Sequence, residues 1–275
     1  MVFEYFVKNG EVLPVSQAVI SLFNIEYSYG FGVYENVRAR NGIPYFLDDH
    51  IERLFKSAET ISLNHQFKKS EIKKHIEMLL ERLPEKTTVN LKIMLIGAKK
   101  KEEVTIYILP LAPKFPDKKI YRDGVKTMTK KYERWFPQAK TLNMLPSYIY
   151  YSQAHEKECY DVLFVDNNGN IVEGSRTNFF AIKNNEIMMP PHECTLPGVT
   201  KKYVLMLAKK NGFIISERNI ALTDMKNYDG AFLTSTSGKI IPIRQIDEFK
   251  FSSVTPELKK LIKLFDEYLE ITGGN

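Results

Sequence analysis

Apolar and polar residues alternate at the start of the chain and again between residues 88 and 111, and apolar residues recur every three or four positions in between. VFEYFV and EVLPV flank Asn9-Gly10, and GVYENVRAR and IPYFL flank Asn41-Gly42. Asn-Gly tolerates the positive φ of a tight hairpin turn, so both pairs are predicted hairpins. In DDHIERLFKSAETI the residues Ile51, Leu54 and Ala58 fall on one helical face, with Asp48 or Asp49 as the expected cap. SEIKKHIEMLLERL predicts a second amphipathic helix, and VNLKIMLIG and EVTIYILPL two more strands. The order ββββααββ points to an α+β unit rather than a βαβ repeat. LAPKFPDKK, with two prolines and three lysines between apolar strands, is the expected linker. Beyond it come strands at DVLFVD, NIVEG, TNFFAIK, EIMMPP, FIISERNI and GAFLTST, and helices at PSYIYYSQAHEKE, TKKYVLMLAKKNG and PELKKLIKLFDEYLE. The expected organisation is an α+β domain over 1–113, a linker over 114–120 and a larger domain over 121–275.

Composition narrows the class. The chain has 275 residues, 44% hydrophobic, enough to build a substantial core. Its formal charge of +6 could suit nucleic acid. The lysines are scattered, however, and Lys99-Lys100-Lys101 runs straight into Glu102-Glu103, so small anionic ligands are the better expectation. No stretch approaches the roughly 18 apolar residues of a membrane span, and MVFEYFVKNG is not a signal sequence. Two cysteines, Cys159 and Cys194, make no disulfide framework. The expectation is a cytoplasmic protein that binds neither nucleic acid nor membrane. His155 and Cys159, four apart, could share a helical face, but two ligands alone make no metal site, and no metal is expected.

Several short stretches carry candidate chemistry. Lys140 heads KTLNMLPSY, an otherwise uncharged run. A lysine partly buried among apolar neighbours holds its amine neutral part of the time and gains as a nucleophile; a surface lysine before a helix fits the same letters. GVTKK sets Val199 and Thr200 at a helix start, where free N–H groups and the dipole favour an anion. TSTSG sets Ser235 and Thr236 after an apolar strand, a second anion cradle or simply a turn. Glu173 ends an apolar strand, where a buried carboxylate needs a partner and an exposed one does not. Arg53 lies on a helix with one apolar face.

In their order and spacing, YGFGVYENVRARNG, DDHIERLFKSA, KTLNMLPS, IVEGSRTNFFAIK, LPGVTKK and TSTSGKIIPI resemble the class IV aminotransferases, the fold type IV pyridoxal-phosphate enzymes that include D-amino-acid and branched-chain transaminases. The resemblance covers nearly the whole chain. It implies a two-domain α+β fold with a barrel-like sheet in the larger domain, pyridoxal 5'-phosphate in the cleft between the domains, and a homodimer. It implies that Lys140, assigned to the larger domain, forms the Schiff base with the cofactor aldehyde and then moves a proton at substrate Cα. Glu173 matches the carboxylate on the pyridine nitrogen. Arg53, Val199, Thr200, Ser235 and Thr236 match residues around the phosphate.

Departures from the family pattern bear on the substrate. Tyr34 is a residue D-amino-acid transaminases often carry, whereas branched-chain members more often have Phe followed by Glu-Gly, here Glu35-Asn36. Met144 stands where many branched-chain members have Tyr. The Arg-x-His pair that holds the substrate carboxylate in typical D-specific enzymes is missing from IGAKKKEEV. Lys92 and Arg176 are the candidate replacements. Lys201 follows Thr200 where Arg is usual, and Lys239 replaces a common glutamate. The expected reaction moves an amino group from an amino acid, D in the favoured reading, to a 2-oxo acid such as pyruvate or 2-oxoglutarate. Branched-chain L-amino-acid transamination, then aminodeoxychorismate lyase activity, are the alternatives within the fold. A non-enzymatic basic binding protein is the alternative outside it.

Overall fold

The structure, a computed structural model, describes residues 3–84, 86–113 and 116–272. The chain divides into two compact units. One holds the described residues up to 113 together with Ala139–Met144 and 269–272; the other holds 116–138 and Leu145–Tyr268.

The first unit runs β1 (Tyr5–Lys8), β2 (Glu11–Pro14), α1 (Ile25–Ser28), β3 (Gly32–Arg40), β4 (Ile43–Pro44), α2 (Leu47–Thr60), α3 (Lys69–Leu80), β5 (Thr88–Ile96) and β6 (Thr105–Leu111). The strands form one antiparallel sheet in the order β2-β1-β6-β5-β3-β4. Both expected hairpins are present, with positive φ at Asn9, Gly10, Asn41 and Gly42. Ile51, Leu54 and Ala58 of α2 and Ile72, Ile76 and Leu79 of α3 are buried in one cluster with Val37, Leu91, Ile93 and Ile106 of the sheet. Burying each such side chain contributes about 1.5–3 kcal/mol before conformational entropy is set against it.

Two local expectations are corrected here. The cap of α2 is neither Asp48 nor Asp49 but Phe46, in the left-handed region at φ 55°. The chain turns straight from the short strand β4 into the helix, so the aspartates fall in the first turn. There they still oppose the helix dipole favourably. IPYFL pairs only through Ile43–Pro44 for the same reason.

The second unit comprises α4 (Lys119–Asp123), β7 (Val125–Lys131), α5 (Leu145–Glu156), β8 (Asp161–Val165), β9 (Ile171–Gly174), β10 (Asn178–Lys183), β11 (Glu186–Met189), α6 (Val199–Lys210), β12 (Ile214–Glu217), β13 (Gly230–Ser235), β14 (Lys239–Ile246), β15 (Phe249–Lys250) and α7 (Pro256–Thr272), whose last residues group with the first unit. Its mixed sheet follows the order β12-β11-β10-β13-β14-β7-β8-β9, and β9 pairs back onto β10. Six strands therefore close a barrel, β10-β13-β14-β7-β8-β9, and the closing pair is Asn178 opposite Glu173. One face of these strands buries Leu163, Ile171, Phe179, Leu233, Ile241 and Ile243 together. On the other face Phe180 stacks on Phe232, centroids 4.7 Å apart. Lys114 and residue 115 of the expected linker lie outside the described residues, and α4 begins within the rest of it. His155 and Cys159 do not share a helical face, because α5 ends at Glu156. Among the described residues, no helix is long and apolar enough to cross a membrane.

Candidate active site

Each unit assembles its own group of candidate residues. In the first, residues 140–142 lie along the start of β3. Tyr34 N–H donates to the Lys140 carbonyl at 2.9 Å, Leu142 N–H donates to the Gly32 carbonyl at 2.8 Å, and Val33 bridges Thr141. Gly32 permits this approach: a Cβ there would meet Leu142 Cδ1 at 2.6 Å. Lys140 N–H also donates to Ser57 Oγ of α2 at 3.0 Å. These bonds group Lys140 with the first unit, whereas chain order had assigned it to the second.

The Lys140 side chain is half-buried, and its amine lies 4.5 Å from the centroid of the Tyr34 ring. Lys92, from the neighbouring strand β5, sets its amine 5.8 Å from the same ring. The Tyr34 hydroxyl reaches Met144 Sδ at 3.6 Å. Tyr34, Lys92, Lys140 and Met144, scattered over 110 residues of sequence, thus share one neighbourhood. Cations over the face of an aromatic ring are held by its quadrupole, which fixes where the two amines point.

Arg53 is buried at 7% exposure, and its principal contact is one the sequence reading missed. Its Nε and Nη2 donate to the two oxygens of Glu35 at 2.6 and 2.7 Å. His50 Nδ1 lies 2.8 Å from Glu35 Oε2. Burial drives the Glu35 pKa up, but the charge and hydrogen bonds of Arg53, then those of His50, outweigh it and bring it down to about 2. Burial lowers the pKa of His50, with Glu35 pulling the other way, so His50 is neutral near pH 7 and donates from Nδ1. The signal in the sequence was a glutamate inside an apolar strand, and His50 three residues before Arg53 on the same helix face.

In the second unit Glu173 is 4% exposed at the end of β9. Arg134, also unflagged by the sequence, donates from Nε to Glu173 Oε1 at 2.6 Å and from Nη2 to the Pro137 carbonyl. The Leu196 N–H donates to Glu173 Oε2 at 3.0 Å. Leu196 leads through Pro197 and Gly198 into α6, whose first residues are Val199 and Thr200, both buried. The Gly198 cap supplies no side chain to the first turn. Ser235 ends β13 and Thr236 lies in the turn that follows, where Gly238 N–H donates to Ser235 Oγ at 2.9 Å.

Two further cations, Arg176 and Lys201, lie in the same unit. Arg176, after β9, is exposed and stacks on Tyr151 of α5 with its guanidinium carbon 3.7 Å from the ring centroid. Beneath it the wholly buried Asp161 accepts hydrogen bonds from Ser175, from Thr177 (2.9 Å) and from Val162 N–H (2.8 Å), fixing the turn over 174–177. Burial raises the Asp161 pKa, while Ser175, Arg176 and Thr177 act against that. Lys201 folds back to Thr195 Oγ1 at 3.4 Å. Burial lowers its pKa, and Glu217 and Glu173 partly restore it.

In the first unit a lysine amine rests on an aromatic face. In the second, a buried carboxylate with lone pairs beyond its two donors suits a protonated ring nitrogen, and a helix start without a side-chain cap, carrying the Thr200 hydroxyl, suits an anion. The amino-transferase class IV model matches residues 32–246, and the chain belongs to that family. It is 29% identical to the D-alanine aminotransferase of Bacillus licheniformis over 90% of each chain. It is 28% identical to a putative branched-chain-amino-acid aminotransferase of Methanocaldococcus jannaschii, over 93% of this chain and 94% of that one. The branched-chain amino acid aminotransferase of Escherichia coli has the same fold, with a TM-score of 0.89 at 20% identity over 99% of this chain and 96% of that one. The protein is a pyridoxal-phosphate-dependent aminotransferase of fold type IV.

Proposed function

We propose that this aminotransferase moves the amino group of a D-amino acid to a 2-oxo acid such as pyruvate or 2-oxoglutarate, with Lys140 as its catalytic residue. The observation that carries the reading is the Lys140 amine over the Tyr34 ring, on a main chain held by hydrogen bonds to Tyr34 of β3 and to the Ser57 hydroxyl of α2. When bound, pyridoxal phosphate supplies an electron sink for the substrate Cα. Lys140 holds its aldehyde carbon and carries the proton to and from Cα. Glu173 keeps the ring nitrogen protonated, itself aimed by Arg134 and the Leu196 amide. Arg53, Val199, Thr200, Ser235 and Thr236 hold the phosphate. Glu35 fixes Arg53 for that task by taking the Nε–Nη2 edge of its guanidinium with both oxygens.

The preference for a D-amino acid rests on Tyr34 and Met144 and on the similarity to the Bacillus enzyme. Lys92 and Arg176 are assigned to the substrate carboxylate in place of an Arg-x-His pair. Lys92 faces the same Tyr34 ring as Lys140, which supports it in that role. The second reading, transamination of branched-chain L-amino acids, has support from the Methanocaldococcus jannaschii relative at almost the same identity. We further assign the protein to the cytoplasm and to a homodimer. The support for a dimer is the run from residue 19 to 29, where Val19, Leu22, Phe23, Ile25, Tyr27 and Tyr29 are all exposed.

The test pairs mapping with a substrate panel. Borohydride reduction of the cofactor-loaded protein followed by peptide mapping should find the pyridoxyl group on Lys140. Lys140→Ala should keep the fold and lose turnover by several orders of magnitude. With pyruvate or 2-oxoglutarate as acceptor, D-alanine should turn over at least about tenfold faster than L-leucine or L-valine. A label on another lysine overturns the Lys140 assignment, and the reverse substrate order selects the branched-chain reading.

A further inference from the structure

The segment that leads from β11 into α6 is held at a single residue from both sides. Leu196 is bonded through its N–H to Glu173 Oε2 at 3.0 Å and through its carbonyl to Asn178 Nδ2 at 2.8 Å. Glu173 and Asn178 are themselves the pair that closes the barrel, facing each other across β9 and β10. The other side of the Asn178 amide presses on the helix cap: an ideal Cβ built on Gly198 would fall 2.0 Å from Asn178 Oδ1. Opposite Asn178 on β13 is Thr234, 2% exposed, with a hydroxyl that makes no hydrogen bond within the protein. Directly opposed residues of an antiparallel pair project to the same face of the sheet, here the face of Phe180 and Phe232. A polar hydroxyl left without a partner at such burial is costly, and it calls for an oxygen-bearing ligand or a water at this end of the strand pair.

We propose that Asn178 is a positioning residue that sets the spacing between the Glu173 carboxylate and the N-terminus of α6. The inference rests on the reading that pyridoxal phosphate binds here, with its ring nitrogen on Glu173 and its phosphate at the start of α6. The cofactor would touch the protein at both points, and its ring and short phosphate arm can span only a limited distance, so an error in their separation would weaken one contact or the other. Asn178 removes that freedom by tying the intervening loop to the strand that pairs with Glu173. Lys201 supports the same loop from the helix side through Thr195. An amide is the residue type the geometry needs. Its NH₂ donates to the Leu196 carbonyl, which a carboxylate of the same shape cannot do.

The experiment uses the full chain, prepared with and without cofactor, as wild type, Asn178→Asp and Gly198→Ala. Asn178→Asp keeps the shape but loses the donor. Gly198→Ala keeps Asn178 but drives its amide away from Leu196. Three quantities are read: the Kd for pyridoxal phosphate, the ability of inorganic phosphate to compete with it, and the pH dependence of the bound cofactor's visible absorption. Both variants should raise the cofactor Kd at least tenfold, weaken phosphate competition and move the absorption pH profile, while the unfolding midpoint of the cofactor-free protein shifts by only a few degrees. Phe180→Leu, a packing change on the same face, serves as the control for a merely structural effect. Unchanged Kd and pH profile in both variants, or the same changes in Phe180→Leu, overturn the role of Asn178. Wild-type protein that binds no pyridoxal phosphate overturns instead the reading on which the inference rests.

Discussion

Glu173 shows how much of a residue's role its neighbours define. A glutamate at the end of an apolar strand was legible from the sequence as a buried carboxylate in need of a partner. The partner itself, Arg134, was not, because it lies 39 positions away in a loop without periodicity. With Arg134 on one oxygen and the Leu196 amide on the other, the carboxylate has a fixed orientation and a compensating charge. Glu173→Gln removes the negative charge and also points an NH₂ at one of these two donors. The cofactor should still bind, but the half-reaction should slow at least tenfold, about 1.4 kcal/mol at the barrier. Stopped-flow measurement at saturating cofactor checks this, and an unchanged rate removes Glu173 from the mechanism.

At the scale of elements, β3 and α2 are locked together by Glu35, His50 and Arg53. The i, i+3 spacing of His50 and Arg53 puts both on one turn of α2, and Glu35 meets them from the middle of β3. The folded-state pKa of Glu35 lies near 2 against an ordinary value of 4.5, so it is depressed. Its contribution to stability is therefore fully present above about pH 4.5 and is lost as pH falls toward 2. The shift corresponds to about 3 kcal/mol. Urea unfolding followed between pH 6 and pH 3 should show stability falling with acid, and Glu35→Gln should flatten that slope. The same variant should be destabilised at neutral pH, since it removes the buried carboxylate charge that Arg53 Nε and Nη2 donate to. A wild-type-like slope in Glu35→Gln would assign the acid sensitivity to other carboxylates.

At the scale of the whole molecule, the exposed apolar run at residues 19–29 is the feature a lone chain explains least. Leu22 is fully exposed and Phe23 94% exposed. If this run is covered by a second copy, a charge placed in it is desolvated on association and opposes it. Phe23→Glu should then shift the protein from dimer to monomer in sedimentation at micromolar concentration while leaving the circular dichroism of the fold intact. A wild type that sediments as a monomer removes the dimer.

The sequence by itself determined the elements and their punctuation. Alternation placed β3, β5 and β6, helical periodicity placed α2, α3 and α6, and Asn-Gly at positions 9–10 and 41–42 set the hairpins, because these signals are local and depend on the nearest few residues. It also carried, through motifs in a fixed order, Lys140, Glu173 and the α6 start as candidates. Tertiary structure alone decided what those residues touch. That Lys140 packs with the first unit depends on its backbone bonds to Tyr34 and to the Ser57 hydroxyl, and on that of Leu142 to Gly32, all more than 80 residues away. That Glu35 serves Arg53, that Arg134 serves Glu173, and that Asn178 ties down Leu196 are likewise pairings between residues 18 to 39 positions apart. A buried charge or amide takes whichever partner the folded chain delivers, and linear sequence holds no local signal for that choice.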